Sequence, residues 1–94
     1  MNYEDVRQTL AAKFDQLSSS LEELQSKARE MKHEARAKWE SQLAELERQR
    51  RAARARLTEF SSDSAEAWET FRTGMEATWQ SLKKTCDETG KKFE

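Results

Sequence analysis

The sequence predicts an all-α protein: an antiparallel, coiled-coil-like helical hairpin that dimerises into an elongated helical bundle. Three observations predict it. Apolar residues recur at three- or four-residue spacing from Tyr3 to Phe93, the period of one helix face. The stripe is interrupted once, at Ser61-Ser62-Asp63-Ser64, and the chain has no proline. Ala, Glu, Lys, Leu and Arg dominate its composition, as in long helices and coiled coils.

The first helix is predicted over about 3–60. Its stripe reads Tyr3, Val6, Leu10, Phe14, Leu17, Leu21, Leu24, Ala28, Met31, Ala35, Trp39, Leu43, Leu46, Arg50, Ala53, Leu57 and Phe60. From Leu10 to Ala35 the steps alternate four and three, the heptad of a left-handed supercoil. Between Ala35 and Leu46 the steps are four, four and three, which locally unwinds it. Arg50 is the charged residue on this seam and is expected to snorkel, its stem on apolar neighbours. Glu23–Lys27, Glu34–Lys38 and Glu47–Arg51 are i,i+4 pairs with the acid first, the more favourable order. Ser18-Ser19-Ser20 costs only tenths of a kcal/mol per residue, roughly, against Ala, so no break is placed there.

The serine-rich segment is a boundary, because such side chains bond nearby backbone and favour caps over helix interiors. Asp63 with Glu66 reads as a capping arrangement. A second helix over about 64–92 follows, with Ala65, Trp68, Phe71, Met75, Trp79, Leu82, Cys86 and Phe93 on its stripe. Acids at its start and lysines at its end complement the helix dipole. Gly90 reads as a point of fraying, and Gly74 as a site where a third helix approaches closely.

So short a connection makes the two helices antiparallel neighbours. With the turn near residue 62, Trp68 and Phe71 should lie over Ala52, Ala53 and Ala55. Trp79 should fall near Leu46, Cys86 near Trp39, and Phe93 near Met31. Glu69 and Glu76 should reach Arg48, Arg54 and Arg56. A first helix of about 85 Å then outruns a second of about 45 Å. Tyr3, Val6, Leu10, Phe14, Leu17, Leu21 and Leu24 are left without a partner in the chain. An uncovered stripe of that kind is a binding surface or a liability. The expected solution is a homodimer in which two first helices run antiparallel and cross near Met31. These seven residues are the candidate self-association site.

The 94 residues make a single domain, 1–94, with net charge −1 from 17 basic and 18 acidic residues. That balance supplies no strong field for nucleic acid or anionic lipid. No signal-peptide pattern opens the chain and no apolar run is long enough to span a bilayer. One cysteine, Cys86, forms no intrachain disulfide and suits a cytoplasmic setting.

Four constellations bear on chemistry. Glu30-x-x-His33 places a carboxylate and an imidazole on one helix face, as di-iron bundles do. Those bundles need further inward ligands, and His33 lies opposite the stripe, so a solvent-facing histidine is expected and no metal is assigned. Cys86, on the stripe, reads as a small buried hydrophobe. Arg48, Arg50, Arg51, Arg54 and Arg56 spread around the helix instead of forming one basic stripe, so a salt-bridged surface is expected over nucleic-acid contact. The aromatic residues on the stripe read as core, with lipid association of opened amphipathic helices as the alternative. No phosphate loop or nucleophile elbow occurs. No catalytic residue and no cofactor is assigned.

The segment Ala67-Trp68-Glu69-Thr70-Phe71-Arg72-Thr73-Gly74-Met75-Glu76-Ala77-Thr78-Trp79-Gln80-Ser81-Leu82-Lys83 resembles a family of small bacterial coiled-coil proteins. That family is labelled stress-response or coiled-coil domain-containing, and many members are cyanobacterial. Its pattern there is A-W-E-x-[LF]-[KR]-x-G-[VM]-E-x-x-W-x-x-L-K, with a phenylalanine near the C-terminus, as Phe93 is here. The serine-rich turn and the arginine cluster depart from it. The resemblance implies a cytoplasmic, non-catalytic helical protein linked to stress, with no active site to carry over. The expected function is therefore a self-associating structural or interaction protein.

Overall fold

The apolar stripe is long enough to close on itself, and it does. The computed structural model describes residues 3–93. It has three helices, α1 (Tyr3–Arg29), α2 (His33–Glu59) and α3 (Ala65–Lys92), and no strand among the described residues. The all-α expectation holds, but the single long helix does not. The chain turns back at Glu30-Met31-Lys32, making a three-helix bundle of 52 × 19 × 16 Å.

The residues at this break carry no Gly, Pro or cap. Glu30 and Met31 N–H donate to the Lys27 and Ala28 carbonyls at 3.2 and 3.1 Å, tightening the last turn. Lys32 is extended (φ −61°, ψ 150°) and offers no side-chain cap to α2. The reason for the break is tertiary. Interrupting a helix forfeits a few backbone bonds, about 1 kcal/mol net each. Folding back buries Leu10, Phe14, Leu17, Leu21 and Leu24, which are 0–6% exposed. Each such side chain contributes about 1.5–3 kcal/mol. A second chain would provide the same burial, but only after an association cost of about 4 kcal/mol or more.

α1 and α2 are antiparallel: Arg54 pairs with Asp15 at 3.3 Å, while Arg7 reaches the C-terminal end of α2. α3 runs parallel to α1. Tyr3 stacks on Trp68 near one end, Trp79 Nε1–H donates to the Lys13 carbonyl at 3.2 Å midway, and Leu24 lies beside Gly90 near the other end. Leu43, Leu46, Ala53 and Leu57 of α2 and Met75, Leu82 and Cys86 of α3 complete one continuous core.

α2 and α3 are antiparallel, as expected, but their register is displaced by about one heptad. Phe60 stacks on Phe71 (4.0 Å between centroids) and Phe93 packs edge-on against Trp39 (5.0 Å), not near Met31. Trp68 sits on Tyr3 and Phe60, not over the alanines. The cause is the connection at 60–64, which is extended at Phe60 and Ser64 rather than tightly turned. The cap of α3 is Ser64, whose Oγ accepts from Ala67 N–H at 3.2 Å, one residue beyond the Asp63 that the D-x-x-E pattern predicts. A Cβ on Gly74 would meet nothing within 4 Å, so no helix of the same chain approaches it, and α3 runs through Gly90 to Lys92.

Candidate functional site

The candidate self-association stripe is largely internal. Leu10, Phe14, Leu17, Leu21 and Leu24 are buried and Val6 is half-buried against the core. The premise that they lack a partner in the chain is corrected: α2 and α3 cover them, because the hinge at 30–32 brings them into register. Tyr3 alone remains open, 38% exposed, its ring parallel to Trp68 at 5.0 Å.

Tyr3 belongs to the most elaborate end of the rod. The rings of Tyr3, Phe60, Trp68 and Phe71 meet there, and such pairs prefer offset-stacked or edge-on geometry. The Arg7 guanidinium lies 5.0 Å from the Trp68 ring centroid. Arg7 also donates to the carbonyls of Leu57, Thr58 (3.1 Å) and Phe60 (2.7 Å). These are carbonyls at the C-terminal end of α2, where a cation is favoured by unsatisfied acceptors and the helix dipole. Trp68 Nε1–H donates to the Ser62 carbonyl at 2.7 Å, and the Ser62 hydroxyl accepts from Ser64 N–H at 3.1 Å. The rings and the second connection are thus tied together. A shallow pocket of about 210 Å³ opens beside them, lined by Tyr3, Val6, Ala65, Trp68, Glu69 and Arg72.

The arginine cluster is a salt-bridged surface made mostly within single helices. Arg48 holds Glu45 through both oxygens at 2.6 and 2.9 Å, and Arg50 and Arg51 share Glu47. Arg50 is 11% exposed, lying between its own helix and the acids of α1 as its place on the seam suggests. Glu69 and Glu76 pair with Arg72 of their own helix, not with Arg48, Arg54 or Arg56. The Arg48 guanidinium holds the Glu45 carboxyl down at about 2. Glu47 and Glu69 are lowered by their hydrogen bonds to Arg50 and Arg72.

Glu30 and His33 do not share a helix face, since the helix breaks between them. His33 is exposed and its Nδ1 lies 3.4 Å from Arg36 Nη2. Among the described residues no group of three or more His, Cys, Asp or Glu side chains is arranged to hold a metal ion. Cys86 is buried, and burial pushes its thiol up, with Asp87 adding to the shift and Lys83 opposing it. Among the described residues no helix is long and apolar enough to cross a membrane.

No family model, curated protein or solved structure matches this chain.

Arg7 is the residue of consequence that sequence reasoning missed. Its fork on the end of α2 depends on a fold-back that carries no local signal. What was available was its place one position after Val6, beside the stripe, where a long side chain can lie along a neighbouring helix.

Proposed function

We propose that this chain is a non-catalytic structural or interaction protein that self-associates as a homodimer. One observation carries the reading: the apolar spacing runs in phase through the break at 30–32, leaving Met31 half-buried and Ala35 exposed on a face that a second copy would cover. Glu45, Glu47 and Glu69 are pushed toward permanent charge by arginines, and Cys86 toward the neutral thiol by burial. General acids and bases are tuned the opposite way, toward the operating pH. The slender rod also suits a spacer or contact module more than a closed site.

Sedimentation equilibrium over a wide concentration range tests the reading. A mass rising from 11.0 kDa toward twice that value is expected; a monomer at every concentration refutes self-association. Lipid association is the second reading, favoured by the apolar core an opened bundle would expose. Flotation with phosphatidylglycerol vesicles would establish it. The stress-linked, cytoplasmic setting implied by the α3 resemblance belongs to the proposal too. Immunoblotting of fractionated cells before and after heat or oxidant would refute it if the level does not change.

A further inference from the structure

The two connections of the bundle are built differently. At 60–64, side chains pin the backbone: Arg7 holds the Phe60 carbonyl, Trp68 the Ser62 carbonyl, and two serine hydroxyls accept backbone N–H groups. At 30–32, no side chain of a described residue bonds the backbone, and the two N–H groups that are bonded are satisfied by their own helix. The first connection is therefore the one that can change at little cost.

At Lys32 the change needed is a rotation about a single bond. Lys32 already has a helical φ of −61°; only its ψ, at 150°, departs from the helix, whose ψ is about −42°. Glu, Met and Lys are good helix formers. The apolar spacing also passes through the break without losing phase, by way of Ala28, Met31, Ala35 and Trp39. In the closed bundle Ala35 is exposed and Met31 only half-buried. A straightened α1–α2 helix would align them on the face that a second such helix crosses.

We propose that the α2–α3 groove of this bundle accepts α1 from a second copy of the chain, giving a dimer by exchange through the hinge at 30–32. This rests on the self-association reading and gives it a mechanism. The contacts that α1 makes in the closed bundle are remade with the partner copy: Phe14 in the core, Arg7 on the end of α2, Tyr3 on Trp68. The exchanged dimer gains the straightened turn and the crossing at Met31 and Ala35. The closed monomer keeps the advantage of not associating, so concentration selects between them.

The test uses the full chain with Ser20→Cys. Ser20 of α1 and the native Cys86 of α3 line the same crevice, and the chain has no other cysteine. The dimer pool is isolated at high protein concentration, oxidised, denatured and run without reductant. Exchange predicts a covalent dimer from that pool and a monomer-mass disulfide from the monomer pool. A dimer that yields only the intrachain disulfide overturns the exchange and leaves self-association standing. A chain that never dimerises overturns both, as does one that floats with phosphatidylglycerol vesicles as monomer only.

Lys32→Pro is the second variant. Its φ suits proline, and the Lys32 N–H donates to no backbone carbonyl among the described residues; helical circular dichroism and a cooperative urea transition of the monomer pool establish that the closed bundle is kept before dimerisation is compared. Proline inside a continuous helix is strongly disfavoured, so dimerisation should weaken at least about a hundredfold. Unchanged dimerisation of Lys32→Pro overturns the proposal, and this variant decides alone if no disulfide forms in either pool.

Discussion

Phe14→Ala distinguishes a bundle closed within one chain from a hairpin with a free N-terminal half. Phe14 is 0% exposed and sits in the core. Truncating a buried phenylalanine removes its transfer energy and leaves a cavity, together about 3–5 kcal/mol. A domain of this size has a total stability of about 5–14 kcal/mol, at 0.05–0.15 kcal/mol per residue. The variant should therefore lose at least about a fifth of it, and most of it at the lower end of that range. With a urea m-value of about 1–2 kcal/mol per molar, the midpoint should fall by roughly 1.5–5 M. Circular dichroism at 222 nm reports the loss of helix, and the titration is repeated over a hundredfold range of protein concentration. A loss below about 1 kcal/mol refutes the closed core. A loss that appears only at high concentration refutes its intrachain origin.

Three further outcomes follow from the geometry. Arg7→Met should cost about 1.5–3 kcal/mol in urea unfolding, since charged hydrogen bonds to carbonyls at the end of α2 are lost; Arg7→Lys should recover only part, because an ammonium cannot fork across the carbonyls. Gly74→Ala should raise the stability by about 0.5–1 kcal/mol, because the position is helical and a Cβ there meets nothing; a lowered Tm would mean that something does approach Gly74. The carboxyls of Glu45, Glu47 and Glu69 are lowered in the folded state, so their contribution is complete above the unfolded value of about 4.3 and is lost as pH falls through the folded values. Thermal stability should therefore fall from about pH 4.5 to about pH 2, and Glu47→Gln should flatten that profile; an unchanged profile would contradict the Arg50 pairing.

Which parts of this fold were legible follows from where each signal resides. Ser61-Ser62-Asp63-Ser64 announces a boundary because hydroxyls and carboxylates compete locally for backbone, and the break is there, one residue from the assigned cap. Most of the α3 stripe was legible because Trp68, Met75, Leu82 and Cys86 keep one helical phase. The hinge at Glu30-Met31-Lys32 was not, because its residues are compatible with helix and what breaks it is the burial of side chains about six to twenty residues away. The α2–α3 register was missed for a related reason. A slide of one heptad keeps both stripes in contact, and only the extended linker selects between them. The stripe from Val6 to Leu24 was correctly recognised as something that must be covered. That its cover lies in the same chain depends on the cost of association, which no spacing rule contains.

Each tryptophan of the bundle carries its own cation. Arg7 lies 5.0 Å from Trp68, Lys13 lies 4.8 Å from Trp79, and Lys38 and Lys92 flank Trp39 at 5.5 and 5.8 Å. Two of these pairs join α1 to α3, whereas Trp39 is served by α2 and α3 alone. The chain is thus labelled by its own chromophores in a way that separates its parts. Release of α1 would take the cation partners from Trp68 and Trp79 and leave those of Trp39 in place. Single-tryptophan variants would then report which helix leaves first, with no dye attached.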